Sequence, residues 1–189
     1  MEEKELIRAA LAGEERAFSL LVKKYEYKVL RMVLSFTRKP QVADDLAQEI
    51  FIKAYFGLSK FRHKSEFSTW LYRIAVNHIK DYLRKKERQK EVSLNSVREP
   101  ISVPEDKYLS EEKEKEQKIA QLYRLINELP EKLKIVLNLR DIQGLSYREI
   151  SKILRVSIGT VDSRLFRARK MLLEKYNTYL KEKGGKDGM

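Results

Sequence analysis

The chain contains no cysteine. Disulfides, cysteine-ligated zinc and a thiol nucleophile are therefore excluded. Histidine is nearly absent, with only His63 and His78, so a histidine-rich metal centre is excluded as well. Neither a metal nor a cofactor is expected. No apolar run approaches the roughly 20 residues that a membrane helix needs. The acidic start Met1-Glu2-Glu3-Lys4-Glu5 lacks the apolar stretch of a secretory signal. A cytoplasmic protein with no membrane insertion is the expectation. Acidic residues are outnumbered, 28 against 40 Lys and Arg in 189 residues, giving a net charge of +12 and a pI near 9.7. A surplus that large favours polyanionic partners, nucleic acid before an anionic membrane surface.

Glycine and proline are also scarce, seven and four. Between these breakers apolar residues recur at helical spacing. One run is Phe18, Leu21, Val22, Tyr25, Val29, Val33 and Phe36; a second is Ala43, Leu46, Ala47, Ile50, Phe51, Ala54 and Leu58; a third is Trp70, Leu71, Ile74, Ala75, His78, Ile79 and Tyr82. Each stripe is one face wide, as amphipathic helices require. Sustained period-2 alternation is lacking, so the fold class is all-α. Composition shifts near residue 90. Pro100, Pro104 and several serines mark residues 91–110 as a flexible linker. Net charge is +8 over residues 1–90, −3 over 91–118 and +7 over 119–189. Two small basic helical domains, 1–90 and 111–180, are thus predicted on either side of an acidic connector, with a disordered tail at 181–189. The linker proper, about 18 of these residues, has a coil span of roughly 23 Å and a reach of about 60 Å. Two DNA sites more than a helical turn apart would need it stretched, which calls for a scaffold.

The second domain carries the sharpest motif. Ser146 and Glu149 have the spacing of a capping box, which starts a helix. Ile150, Ile153 and Leu154 form its inner face. After Arg155-Val156-Ser157, a helix from Ile158 to about Tyr176 follows, with Val161, Leu165, Ala168 and Leu172 inward. Two helices joined by so short a turn make a helix-turn-helix. Glycine is common at such a turn, and Arg155 departs from that. The outer face of the second helix offers Thr160, Ser163, Arg164, Arg167 and Lys170, flanked by Asp162, Phe166 and Arg169. Arginine in the major groove pairs bidentately with guanine, and an aromatic edge can touch thymine.

The first domain presents two different faces. Asp45, Gln48, Glu49 and Ile52 lie opposite the buried stripe of one helix. An acidic and amide patch on a basic protein suits a basic protein partner and repels phosphate. Asp44 and Asp45 are adjacent and splay about 100° apart on a helix, which argues against a divalent metal. Downstream, Phe61, Arg62, His63, Lys64, Phe67 and Trp70 interleave aromatics with cations, and Arg73, Asn77, Lys80 and Arg84 continue the pattern. Unstacked bases need a π surface and a cationic track. Core packing of Phe67 and Trp70 is the competing reading.

These motifs, in this order, resemble the extracytoplasmic-function (group IV) branch of the sigma-70 family of bacterial RNA polymerase sigma factors. Asp45 to Tyr55 is similar to the core-binding motif of region 2.2, Phe67 to Lys86 to regions 2.3 and 2.4, and Leu129 to Lys134, Gly144 to Ile150 and Gly159 to Arg169 to region 4. The resemblance implies a non-enzymatic protein that directs promoter-specific initiation. Asp45, Gln48, Glu49 and Ile52 would bind the clamp helices of the polymerase largest subunit, and the polymerase flap would be a further partner. Phe61, Arg62, His63, Lys64, Phe67, Trp70, Arg73, Asn77, Lys80 and Arg84 would hold the melted −10 strand of promoter DNA. Thr160, Asp162, Ser163, Arg164, Phe166, Arg167 and Lys170 would face the −35 duplex. Many relatives carry a cation where Asp162 stands, so promoter sequence does not transfer. Members of the branch are often held by an anti-sigma factor. The alternative is a two-domain DNA-binding regulator that never joins polymerase; it gives the acidic face no role. A nuclease or recombinase would need a nucleophile or carboxylate cluster, which the sequence lacks.

Overall fold

A computed structural model describes residues 2–37, 39–62, 65–92 and 121–184. Among the described residues every regular element is helical, in keeping with the all-α expectation. They fall into two compact units.

The first unit holds α1 (Glu3–Leu11), α2 (Glu15–Thr37), α3 (Pro40–Gly57) and α4 (Phe67–Val92), with a 3₁₀ turn at Leu58–Lys60 after α3. Pro40 occupies the first turn of α3, where its missing N–H leaves no bond unmade. The three apolar stripes meet as one core: Leu21, Val29, Met32 and Val33 of α2, Ala43, Ile50 and Ala54 of α3, and Leu71, Ala75 and Ile79 of α4 are all buried. Phe51 and Tyr82, placed in those stripes by spacing, are half-buried. α1 is a further element, tied down by Glu3, whose carboxylate accepts from Lys24 Nζ and Tyr25 Oη, both at 2.6 Å.

The second unit holds a helical turn over 121–127 (α5), α6 (Glu131–Leu137) running into a π turn at Asn138–Ile142, α7 (Tyr147–Leu154) and α8 (Ile158–Gly184). Its core gathers Ile126, Leu129, Leu133 and Leu137 against Ala168, with Met171 and Leu172 packed alongside. Ile150, Ile153, Val161 and Leu165 are buried as the spacing requires. Two segments differ from expectation. α4 extends two residues into the predicted connector, and α8 continues to Gly184, through residues 181–184 assigned to the tail. Between Ile158 and Gly184 there is no proline and no glycine other than Gly159, so no strong breaker stops propagation earlier. The remainder of the connector and of the tail lies outside the described residues.

Candidate polymerase and nucleic-acid interfaces

On α3, Asp45, Gln48, Glu49 and Ile52 are all exposed. Their spacing of three, four and seven puts them on one ridge. The ridge ends in two large apolar residues that sequence reasoning left out, Tyr55 and Phe56; Phe56 is 76% exposed. The signal was present, since neither falls on the buried stripe. α4 supplies another unanticipated neighbour. His78 is buried, yet both ring nitrogens meet polar groups of α3. Nδ1 lies 2.7 Å from Lys53 Nζ, and Nε2 lies 2.7 Å from Glu49 Oε2. Ammonium can only donate, so Nδ1 accepts and the ring proton sits on Nε2. The Glu49 oxygen approaches obliquely, off the N–H axis.

The outer side of α4 carries Trp70, Arg73, Asn77, Lys80 and Arg84 along one stripe. Asn77 and Arg84 are exposed, and Trp70, Arg73 and Lys80 half-buried. Asp81 sits 3.8 Å from Arg84, an exposed pair of little energetic weight. Arg62 is exposed; His63 and Lys64 lie outside the described residues. The aromatic expectation needs correction. Phe61 and Phe67 are 7% and 3% exposed, so neither offers a face to a base in this conformation. They pack with Trp70 as a cluster: ring centroids are 5.8 Å apart for Phe61–Phe67, 5.3 Å for Phe61–Trp70 and 5.5 Å for Phe67–Trp70. Tyr25 of α2 closes the group at 5.6 Å from Phe67. These tilted and edge-to-face contacts are core chemistry. Trp70 is the member with part of its surface still open. Its ring lies over Gly57, where a Cβ would come within 3.4 Å.

In the second unit the capping box forms as the spacing required. Ser146 N donates to Glu149 Oε2 at 2.8 Å, and Glu149 N donates to Ser146 Oγ at 3.3 Å. Ser157 caps α8 by accepting from Thr160 N at 3.0 Å. Between the helices Arg155 takes φ +54°, and Val156 N bonds Ser151 O at 3.2 Å. This is the left-handed helix end that glycine usually supplies. Before α7, the π turn hands over to Gly144, at φ +72°. Arg140 braces that loop by donating to Leu145 O at 2.9 Å, with its guanidinium 5.4 Å from the Tyr147 ring centroid.

The first turns of α8 expose Asp162, Ser163, Phe166, Arg167 and Lys170, whereas Thr160 and Arg164 are half-buried on the flank. Arg167 Nε donates to Ser163 O at 3.3 Å, which lays its side chain along the helix. Arg169 turns away to Asp141. Asp162, Phe166 and Lys170 line an open groove of about 410 Å³ together with Tyr147, Arg169 and Leu173. The outer face is thus divided between a polar, cationic side and an apolar one. No group of metal-ligating side chains occurs among the described residues, and none of the described helices is long and apolar enough to cross a membrane.

Comparison with known proteins agrees with the all-helical fold. The family model described as Sigma-70 region 2 matches residues 21–89, and the one described as Sigma-70, region 4 matches residues 119–172. The RNA polymerase sigma-H factor of Pseudomonas aeruginosa is 38% identical, over 96% of this chain and 97% of its own length. The ECF RNA polymerase sigma-E factor of Escherichia coli K12 is 40% identical, over 88% and 90%. Among solved structures, the sigma factor RpoE of Bartonella quintana, in complex with the anti-sigma factor NepR, superposes with a TM-score of 0.69 at 25% identity, covering 83% of this chain and 94% of that one. CnrH, solved with the cytosolic domain of CnrY, shares the fold, with a TM-score of 0.72 at 24% identity over 93% and 97%. Both recognised regions are present in order and the full-length relatives are sigma factors, so the chain belongs to the extracytoplasmic-function branch of the sigma-70 family.

Proposed function

We propose that this sigma factor docks on core RNA polymerase through α3, holds the melted −10 strand along α4, and reads the −35 duplex with the first turns of α8. The observation that carries the reading is the separation of chemistries within one small unit. An exposed acid–amide ridge, Asp45, Gln48 and Glu49 with Ile52, stands on α3, while a polar and cationic stripe, the exposed Asn77 and Arg84 with the half-buried Lys80 between them, stands on α4. A basic protein surface is attracted by the first and DNA by the second.

Opening a duplex costs roughly 1–2 kcal/mol per base step. A protein that hydrolyses nothing meets that cost only by binding the opened state better. Cations along the freed strand and the open edge of Trp70 supply differential binding. The buried Phe61 and Phe67 support the Trp70 ring. On α8, Arg167 and Lys170 with Ser163 are placed for base edges and phosphates, and Asp162 favours a cytosine N4 donor over a phosphate. The polymerase makes the bonds, in the cytoplasm, and the sigma factor makes none. An anti-sigma factor is a further partner, by extension from the RpoE–NepR complex.

The test is run-off transcription with core polymerase on genomic fragments. Defined transcripts that depend on the added protein, and that disappear with Glu49→Lys, support the reading. DNA binding without any association with core polymerase would replace it with that of a free-standing regulator.

A further inference from the structure

The docking ridge contains an anomaly. Lys53 follows Glu49 by one helical turn and would place a cation on a surface whose proposed partner is basic. Its ammonium is not left to do so. Nζ reaches to 2.7 Å from Nδ1 of His78, a residue of α4 that is only 8% exposed. The opposite nitrogen of the same ring stands 2.7 Å from Glu49 Oε2. One imidazole thus meets both charged neighbours on α3, with its lone pair on the cation and its N–H side beside the carboxylate. We propose that His78 is a positioning residue for polymerase docking: it holds the Lys53 ammonium back from the ridge on which Glu49 stands.

The inference rests on the reading of α3 as the docking face. It adds a residue outside that face and a reason for polar chemistry at a buried position of α4. Val76 and Ile79, its near neighbours on the helix, are apolar and buried. A leucine at 78 would satisfy packing equally well and would leave Lys53 free to swing outward.

The experiment measures core polymerase affinity by competition with the intact chain, alongside thermal unfolding and ¹⁵N imidazole NMR. His78→Leu is expected to weaken core binding about tenfold, the scale of one charge-assisted hydrogen bond. The double variant His78→Leu/Lys53→Met is expected to recover most of that loss, because the released cation is gone. Lys53→Met alone should bind core at least as tightly as the parent, and its imidazole spectrum should lose the fixed Nε2–H tautomer. Four results overturn the proposal: parental affinity for His78→Leu, an equal loss in the double variant, weakened core binding by Lys53→Met alone, or an imidazole spectrum insensitive to Lys53. The Lys53→Met measurements decide the matter even if His78→Leu does not fold. Glu49→Lys separates the two levels. If it leaves core affinity intact, the docking reading itself fails; if it abolishes binding while His78→Leu is silent, only the role of His78 fails.

Discussion

Arg169 grips Asp141 with two hydrogen bonds, Nη2 to Oδ1 at 2.7 Å and Nε to Oδ2 at 3.3 Å. The pair joins the middle of α8 to the π turn after α6, so Arg169, a cation on the flank of the candidate reading face, is committed to scaffolding. The Asp141 carboxylate holds the guanidinium proton still more firmly than usual. Both side chains are partly exposed, which limits the stabilisation to at most about 1 kcal/mol. Asp141→Ala is therefore expected to lower the unfolding free energy by about that amount and to leave the DNA sequence preference unchanged. Denaturant titration and a DNA selection experiment check the two halves; an altered sequence preference would give Arg169 a reading role instead.

Arg155 stands where glycine is usual, and its φ of +54° shows why glycine is preferred. A left-handed conformation costs an L-residue about 1 kcal/mol, and glycine nothing comparable. The 3.2 Å bond from Val156 N to Ser151 O closes the helix end whichever residue is there. Arg155→Gly should raise stability by roughly 0.5–1 kcal/mol, read as a higher denaturation midpoint with an unchanged slope. A lower midpoint would mean that the arginine side chain outweighs its own backbone strain.

Much of this was legible in the sequence because it depends on spacing alone. The helical stripes identified Leu21, Val33, Ile50 and Ile79 as core, and the Ser146–Glu149 spacing placed the start of α7. The exposure of Asp45, Gln48, Glu49 and Ile52 follows from a period of 3.6. What spacing cannot give is which of two amphiphilic roles a residue takes when several elements converge. Phe67 and Trp70 read as base platforms or as core, and Phe61 as a base contact; only the meeting of α2, the 3₁₀ turn and α4 settles Phe61 and Phe67 as buried. His78 lay in a buried stripe, so its contacts with Lys53 and Glu49 depend on how α4 packs on α3. The π turn at Asn138–Ile142 has no local signature, because one extra residue in a helical turn reflects where Arg140 and Asp141 find partners.

The aromatic cluster separates stability from DNA binding. Removing Phe67, buried among Phe61, Trp70 and Tyr25, leaves a cavity worth about 3–5 kcal/mol. Phe67→Ala should therefore unfold the first unit at markedly lower denaturant, and all its activities should fall together. Asn77→Ala and Arg84→Ala, at exposed sites of α4, should shift stability by no more than about 0.5 kcal/mol. They are expected to weaken binding of single-stranded −10 DNA by the polymerase complex. Unfolding curves and strand-binding assays on the same variants distinguish the two classes. A folded, stable Phe67→Ala would return that ring to the list of base contacts.

On α8 the exposed Arg167 and the half-buried Arg164 are expected to differ. Arg167→Ala should cost about 1–3 kcal/mol in binding a cognate −35 duplex and relax selectivity at one or two base positions. Arg164, on the flank, should act more as a phosphate contact, lowering affinity evenly across sequences and reducing the salt dependence. Affinities on a panel of single-base variants, at two salt concentrations, check both. An even loss for Arg167→Ala would reassign it to the backbone.

The clamp on α1 predicts a dependence on acid. Burial alone would raise the Glu3 carboxyl, but the hydrogen bonds from Lys24 and Tyr25 and the charges of Lys24 and Lys28 outweigh it, and the net direction is downward. A carboxyl held lower in the folded state than in the unfolded one binds its proton more readily when unfolded. Its stabilisation is then complete above the ordinary carboxylate range and is lost as pH falls through the folded value. The α1 anchor should accordingly hold at neutral pH and loosen in acid. Tyr25, raised by burial and by the same carboxylate, stays a donor throughout. Glu3→Gln should remove this part of the acid dependence and leave α1 less protected at neutral pH. Hydrogen exchange of the amides of α1, expressed as protection relative to the intrinsic rate at each pH for both chains, tests this: protection in the parent that falls toward acid no more than in Glu3→Gln would show that α1 is held by its buried Leu6 and Ile7 and not by the carboxylate.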